Sequence, residues 1–220
     1  MSSASAQVHS LPAHVAQFHK DAPPSLAISA RDLPERLSLA GAGQTVKGML
    51  CNAALQAVST LLDRRAAETC RAASGERRFI DFFSYPVSSF LRLSFTAAEL
   101  SRSKLGGYDA AFRTLGKQAV DDFLSTAVGK TLRSLGSRDP HRLLATLPST
   151  YRSVVNHGDR FVQLASEGRC LLRMRRDFLP HPYHEGVLSS LLFAVGLGSS
   201  IRVSGRRVGV LDADYEIVWD

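Results

Sequence analysis

Long apolar runs are missing from this 220-residue chain. A membrane-spanning helix needs about 20 consecutive apolar residues, and the longest apolar stretch here, around 188–197, is interrupted by serines and glycines. No membrane span is expected. The first residues do not run from a basic segment into an apolar one, so no secretory signal is read there. Cysteine is scarce. Cys51, Cys70 and Cys170 stand far apart, with neither the spacing of a zinc site nor the even count of a disulfide framework. A reducing, cytoplasmic setting is the expectation. Lysine is scarce too: of 27 Lys+Arg, only Lys20, Lys47, Lys104, Lys117 and Lys130 are lysines. The arginines are spread along the chain, as a GC-rich coding bias would spread them. The net charge of +7 is thus a dispersed excess, and nucleic-acid binding is not the expected role.

Catalytic signatures are absent as well. There is no G-x-S-x-G, no P-loop and no G-x-G-x-x-G; Gly41-Ala42-Gly43 leads into a helix pattern and not into a strand-to-helix phosphate turn. Asp121-Asp122 reads as a solvated helix face, and Asp109 after Tyr108 as a helix cap. No enzyme activity is expected. The stretch "HPYHEGVLSSLLFAV" at 181–195 comes nearest to a metal motif. Zinc helices carry H-E-x-x-H or H-x-x-E-H, and the order here is H-x-x-H-E. Pro182 suits a first helical turn, Glu185 suits the positive end of a helix dipole, and Tyr183, Val187, Leu188, Leu191, Leu192 and Val195 make a helical stripe. This is read as a helix start without a metal.

What is present divides at about residue 157. Residues 1–32, rich in Ser, Ala, Pro and His, read as a flexible tail, and 33–220 as a single α+β domain. From Thr45 to about Leu62 apolar residues recur at helical spacing, with a broad face of small side chains. An aromatic-rich segment follows Ser74-Gly75, and Pro86 opens a helix running to about Leu100. The longest helix is expected over 108–135, ending at Gly136. Another starts at Asp139-Pro140 and reaches about Val155, with a kink or break at Pro148. After Gly158 the period drops to two. "RFVQLA" and "RCLLRMRR" form one hairpin. "SIRVS" and "RVGVLDADYEIVW" form a second, turning at Gly205-Arg206. In its last strand Leu211, Ala213, Tyr215, Ile217 and Trp219 face one way, and Asp212, Asp214 and Glu216 the other. Arg169, Arg173 and Arg175 share a face with Leu171, so that neighbouring strands would set opposite charges side by side. The domain is therefore expected to pack four or five N-terminal helices on a four-stranded antiparallel sheet, ordered strand-strand-helix-strand-strand.

"ERLSLAGAGQTVKGMLCNA", "RFIDFFSYPVSSFLRL", "YDAAFRTLGKQAVDDFLSTAVGKTL", "YHEGVLSSLLFAVG" and "LDADYEIVW" together resemble a paralogous family of myxobacterial proteins with no assigned activity. That family is distantly similar to a superfamily of haem nitric-oxide-binding domains, 4-vinyl-reductase-like sensor domains and small subunits of TRAPP tethering complexes. The resemblance implies helices on a four-stranded sheet, an apolar ligand within the helical part of several members, and pairing through long helices. It does not imply haem here. The relatives' Y-x-S-x-R motif meets "YRSVV" at 151–155, with Val155 in place of arginine, and the long helix at 108–135 carries no histidine. Zinc-bearing relatives place several cysteines near the sheet, where only Cys170 stands. Cys51 shares a residue type, and no motif, with the acyl-bearing cysteine of some TRAPP subunits. No cofactor is expected.

Two functions compete. One is a dimeric interaction or signalling module, a homodimer whose seam is formed by Val46, Leu50, Ala54, Ala57 and Leu61. The other is a sensor or carrier for a small apolar ligand or acyl chain, walled by Phe82, Tyr85, Phe90, Phe112, Phe123, Tyr151, Phe161 and Cys170. The favoured reading is the dimer, with the pocket as an added property. A nucleic-acid-associated regulator is a third, weaker alternative.

Overall fold

A computed structural model describes residues 27–125, 129–131, 134, 140–166, 168–197 and 201–219. Helices α1 (Asp32–Leu39), α2 (Gly48–Leu61), α3 (Arg64–Ser74), α4 (Val87–Leu105), α5 (Tyr108–Ser125) and α6 (Pro140–Val154) precede strands β3 (Asp159–Ser166) and β4 (Arg169–Arg175). Helix α7 (His181–Leu192) then separates these strands from β5 (Arg202–Arg207) and β6 (Ala213–Val218). The four strands form one antiparallel sheet in the order β3-β4-β6-β5. This is the expected α+β architecture, with the expected strand-strand-helix-strand-strand order.

Local chemistry sets the helix ends. The Asp63 carboxylate accepts from the Ala66 N–H at 2.7 Å and caps α3. Helix α4 starts after Pro86 and runs on to Gly106, whose φ of 87° closes it in the left-handed region. Helix α6 continues through Pro148 without interruption. The long helix expected over 108–135 is described to Ser125 and again at 129–131 and 134; the rest of that stretch lies outside the described residues. So does most of the expected tail. Of its last residues, Ile28 is buried, its N–H donates to Asp109 Oδ1 at 3.3 Å, and Asp32 pairs with Arg207 at 2.7 Å.

Two expectations need correction. Thr45–Lys47 is not helical: it forms a short strand, β1, paired antiparallel with a second, β2 (Ser84–Pro86), through Val46 opposite Tyr85. The helix begins only at Gly48. The second hairpin does not turn at Gly205-Arg206 either. Both residues lie inside β5, opposite Tyr215 and Asp214, and the chain turns at 208–212. Gly205 belongs in a strand here because of close approach: its N–H donates to Glu185 Oε1 at 2.8 Å, and a Cβ would meet that oxygen at 2.9 Å and the Tyr215 ring at 3.0 Å.

Alternation on the sheet is as the sequence implies. Cys170, Leu172, Met174, Ala213, Tyr215 and Ile217 point inward and are buried. They pack with α6 and α7 into one core cluster, while α2, α4 and α5 build a second around Phe90, Leu93, Phe95 and Phe112. Helices α5 and α7 bind the two clusters together at backbone contact. A Cβ on Gly116 would stand 2.0 Å from the Tyr183 carbonyl oxygen, and one on Gly186 would stand 2.1 Å from that of Arg113.

Candidate functional site

The two core clusters leave a cavity of about 80 Å³ between them. One water position needs about 10–15 Å³, so this is room for several atoms of an apolar molecule. Val46 and Leu50 enter from β1 and α2, Phe90 from α4, Val120 and Phe123 from α5, and Leu147 from α6. Its walls are mostly apolar, with Thr150 and Tyr183 among them, and Tyr151, His157, Arg160, Asp177 and His184 join the lining from α6, the loop after it, β3, the β4–α7 connection and α7.

Tyr151, Arg160, Asp177 and His184 form a connected network. Asp177 Oδ2 takes the Arg160 guanidinium, while Oδ1 lies 2.9 Å from His184 Nε2 and accepts from the Leu179 N–H at 3.1 Å. The Tyr151 hydroxyl lies 3.0 Å from His184 Nδ1, and the Arg160 guanidinium sits 4.9 Å above the Tyr151 ring. Both ring nitrogens of His184 are thus engaged, Nδ1 by Tyr151 and Nε2 by Asp177. Burial works to raise the Asp177 pKa, but the His184 and Arg160 charges overcome it and hold the carboxyl well below the usual range. Burial, then the Asp177 charge, pushes the Tyr151 phenol well above its ordinary value. Burial likewise lowers His157.

The expected wall residues fall into three groups. Phe90, Phe123 and Tyr151 line the cavity. Tyr85, Phe112 and Cys170 pack elsewhere: Tyr85 edge-on to Phe79 at 4.9 Å, Phe112 edge-on to Phe95 at 5.0 Å, and Cys170 in the sheet's cluster. Phe82 and Phe161 lie on the surface, 76% and 58% exposed, and do not reach the cavity. The seam expected between two copies is placed differently as well. Ala54 and Ala57 are buried by the chain itself, where α3, α4 and α5 pack on α2. Val46 and Leu50 face the cavity, and Leu61 is half-buried at the helix end. Small side chains admit any close neighbour, and here the neighbours are the chain's own helices.

His181 and Pro182 do open α7, after Pro180 at the cap. Glu185 lies beyond the first turn, and its partners are Arg113 at 2.6 Å and the Gly205 N–H, not the helix dipole. Arg160, Asp177 and His184 were not anticipated as site residues. Only His184 stood in a stretch the sequence singled out. Among the described residues no group of three His, Cys, Asp or Glu side chains is placed to hold a metal ion, and no helix is long and apolar enough to cross a membrane.

The chain belongs to the DUF2378 family of proteins of unknown function, whose pattern matches residues 40–220. No curated protein matches it. Among solved structures it is similar to the Fe(II) unliganded H-NOX protein of K. algicida, with 13% identity and a TM-score of 0.59 over 79% of this chain and 96% of that one. An H-NOX protein of S. oneidensis in the Fe(II) ligation state gives 16% identity and a TM-score of 0.57 over 79% and 96%. A structure described for modulation of haem redox potential through porphyrin distortion gives 12% and 0.57, over 79% and 99%. At these identities the likeness is one of fold: helices on a four-stranded sheet in the H-NOX manner.

Proposed function

We propose that this chain is a non-enzymatic sensor or signalling module that holds a small apolar ligand between its helical part and its sheet. The observation that supports this reading is the cavity, which apolar side chains from both core clusters surround. Asp177 is held far below neutrality and Tyr151 far above, so neither exchanges a proton near pH 7. The three buried, free cysteines fit a reducing, cytoplasmic location.

Haem, the group named with one of the similar structures, does not suit these residues. The described part of α5 carries no histidine, and both ring nitrogens of His184 are engaged by Asp177 and Tyr151. A cavity of about 80 Å³ holds roughly five to eight water-sized spheres, too few for a four-ring macrocycle. The ligand of this reading is smaller and more flexible.

The test is binding of short apolar molecules of about five to seven heavy atoms, such as pentane, hexane and benzene, read by native mass spectrometry. Saturable binding to the wild type, lost in Leu50→Trp at unchanged circular dichroism, is the expected result. No saturable binding of any of these molecules by the wild type would refute the reading.

A second reading, action by pairing with another copy, has its own support in Phe82 and Phe83. These rings stand 76% and 62% exposed in the α3–β2 loop beside the partly exposed Ile80. Light scattering on the wild type and on Phe82→Ser/Phe83→Ser decides it. A dimer that the double change converts to monomer is expected, and a wild-type monomer at micromolar concentration eliminates it.

A further inference from the structure

The run "ERRFIDFF" at 76–83 carries four apolar side chains, and the fold covers only one of them. Phe79 turns inward, edge-on to Tyr85. Ile80, Phe82 and Phe83 stay in water. Their exposure is fixed by the backbone, which is seated on the start of α2. The Gly48 N–H donates to the Phe83 carbonyl at 2.9 Å and the Met49 N–H to that of Asp81 at 3.0 Å. First-turn donors have no partner within their own helix, so the loop caps α2. The Asn52 amide reaches the Phe79 carbonyl at 3.3 Å, and the Tyr85 hydroxyl accepts from the Ile80 N–H at 2.8 Å. A Cβ on Gly48 would stand 2.2 Å from the Ile80 carbonyl oxygen, so glycine admits the loop at backbone contact. Folding the two rings back onto the domain would break these bonds. The loop therefore presents them.

Cations border the rings. Lys47 Nζ donates to the Phe82 carbonyl at 3.0 Å and to the Ser84 hydroxyl at 3.1 Å, which sets its ammonium beside the loop. Arg77 and Arg78 are exposed on the loop itself. The carboxylates of the same run are engaged by neutral groups: Asp81 by the Asn52 amide at 2.7 Å, and Glu76 by the Ser89 hydroxyl at 3.1 Å. The result is a small apolar tip with a basic border.

Area and charge bear on what covers it. An aromatic side chain carries about 150–250 Å², so the two rings at their present exposure offer roughly 300 Å². Each partner of a stable protein pair buries about 800 Å². A second copy would thus have to find further surface beyond the loop. Packed ring to ring, it would also bring the same cations together. A lipid surface needs no matching shape, and anionic headgroups neutralise the border.

We propose that this loop docks the protein peripherally on an anionic lipid surface. Phe82 and Phe83 enter the headgroup region, and Lys47, Arg77 and Arg78 meet the lipid phosphates. This goes beyond both readings above and competes with the second for the same rings. It does not depend on the chamber, so either can fail alone.

The test is co-sedimentation of the full chain with vesicles of phosphatidylcholine alone, or of equal parts phosphatidylcholine and phosphatidylglycerol. The wild type should bind the anionic vesicles at least about tenfold more tightly, and the difference should shrink as salt rises. Phe82→Ser/Phe83→Ser should weaken that binding about tenfold or more, at unchanged circular dichroism. Arg77→Glu/Arg78→Glu should bind both vesicle types equally weakly. Wild type that stays in solution with anionic vesicles overturns the proposal, as does full binding by the phenylalanine variant. Equal binding of the wild type to both vesicle types overturns the choice of an anionic surface. A wild-type dimer that Phe82→Ser/Phe83→Ser converts to monomer, without vesicle binding, assigns the rings to a second copy instead. The comparison of the two vesicle types stands by itself should a variant not fold.

Discussion

His184 Nε2 and Asp177 Oδ1 lie 2.9 Å apart, with both side chains buried. Through Asp177 the bond reaches Arg160 on β3, and through His184 it reaches Tyr151 on α6. Helices α6 and α7 and strand β3 are thereby joined through one carboxylate, so the polar network of the site is also a structural joint. Removing that carboxylate strands the Arg160 charge in the interior. Asp177→Ala is expected to cost about 3–5 kcal/mol in urea unfolding, as breaking a buried ion pair does. A loss below about 1 kcal/mol would mean that water enters the network and that the joint is weaker than its geometry.

Stability should fall as pH drops below neutrality. Burial lowers His181 from 6.5 to about 4, and lowers His157 in the same direction. A histidine whose folded pKa is depressed favours the native state above the unfolded value of about 6.5. That contribution is lost as pH falls from there towards the folded value, because the unfolded chain takes up the proton first. Each such histidine adds a slope of at most about 1.4 kcal/mol per pH unit. Asp177 belongs to a lower window: its depressed pKa adds stability above the unfolded value of about 3.9, lost only in stronger acid. Unfolding free energies between pH 7 and 5 should therefore decline, and less steeply in His181→Asn. A flat profile in the wild type would contradict this.

Helix contact makes another test. Alanine normally favours a helix over glycine by about 1 kcal/mol. At Gly116 the sign should reverse, since the added Cβ would lie 2.0 Å from the Tyr183 carbonyl oxygen and must push α5 off α7. Overpacking of this kind costs about 1–3 kcal/mol. Gly116→Ala should thus lower the melting temperature, and ligand affinity should drop with it, because Ala119 and Tyr183 on the displaced helices line the cavity. A more stable variant would show that the two helices separate freely.

Much of the sheet was legible because a half-buried strand writes its period into the sequence. The inward run Ala213, Tyr215 and Ile217 is visible without any structure. Strands β1 and β2 were not legible. Three residues each are too few for a period, and Thr45–Lys47 continues the apolar spacing of the helix it precedes. The polar network was hidden for another reason. Tyr151, Arg160, Asp177 and His184 are spread over four elements, and nothing local marks them as partners. His184 drew notice only within an H-x-x-H-E run that reads as a helix start and not as a metal site. The aromatics show the limit of composition: Phe90 and Phe161 look alike in sequence, but one lines the cavity and the other lies on the outer side of β3.

Purified protein should show no Soret band, even after growth with added haem precursor. Val155 stands where the haem-binding relatives carry arginine, and the ring nitrogens of His184 are taken. Stoichiometric haem after ordinary purification would show that the cavity opens far beyond its present volume and that the network around Asp177 rearranges.

The last prediction concerns the basic excess. On the outer face of the sheet, Arg169 pairs with Glu216, Arg175 with Asp214 at 2.7 Å, and Arg206 approaches the same Asp214 at 3.7 Å. Strands β4 and β6 are neighbours, with Arg173 opposite Asp214 in register. Pairs of this partly exposed kind contribute only about 0.2–1 kcal/mol each to stability. Their effect on binding is larger, because an arginine facing a carboxylate has less charge to offer a phosphate. The net charge of +7 is therefore partly cancelled on this face and does not form a continuous stripe across it. Any affinity for DNA or RNA should be weak and fall steeply with salt, as counterion release requires. Fluorescence anisotropy with mixed-sequence DNA and RNA at about 150 mM salt, where the Debye length is about 8 Å, reads this directly. Submicromolar binding there would mean that arginines outside the ladder converge on a groove.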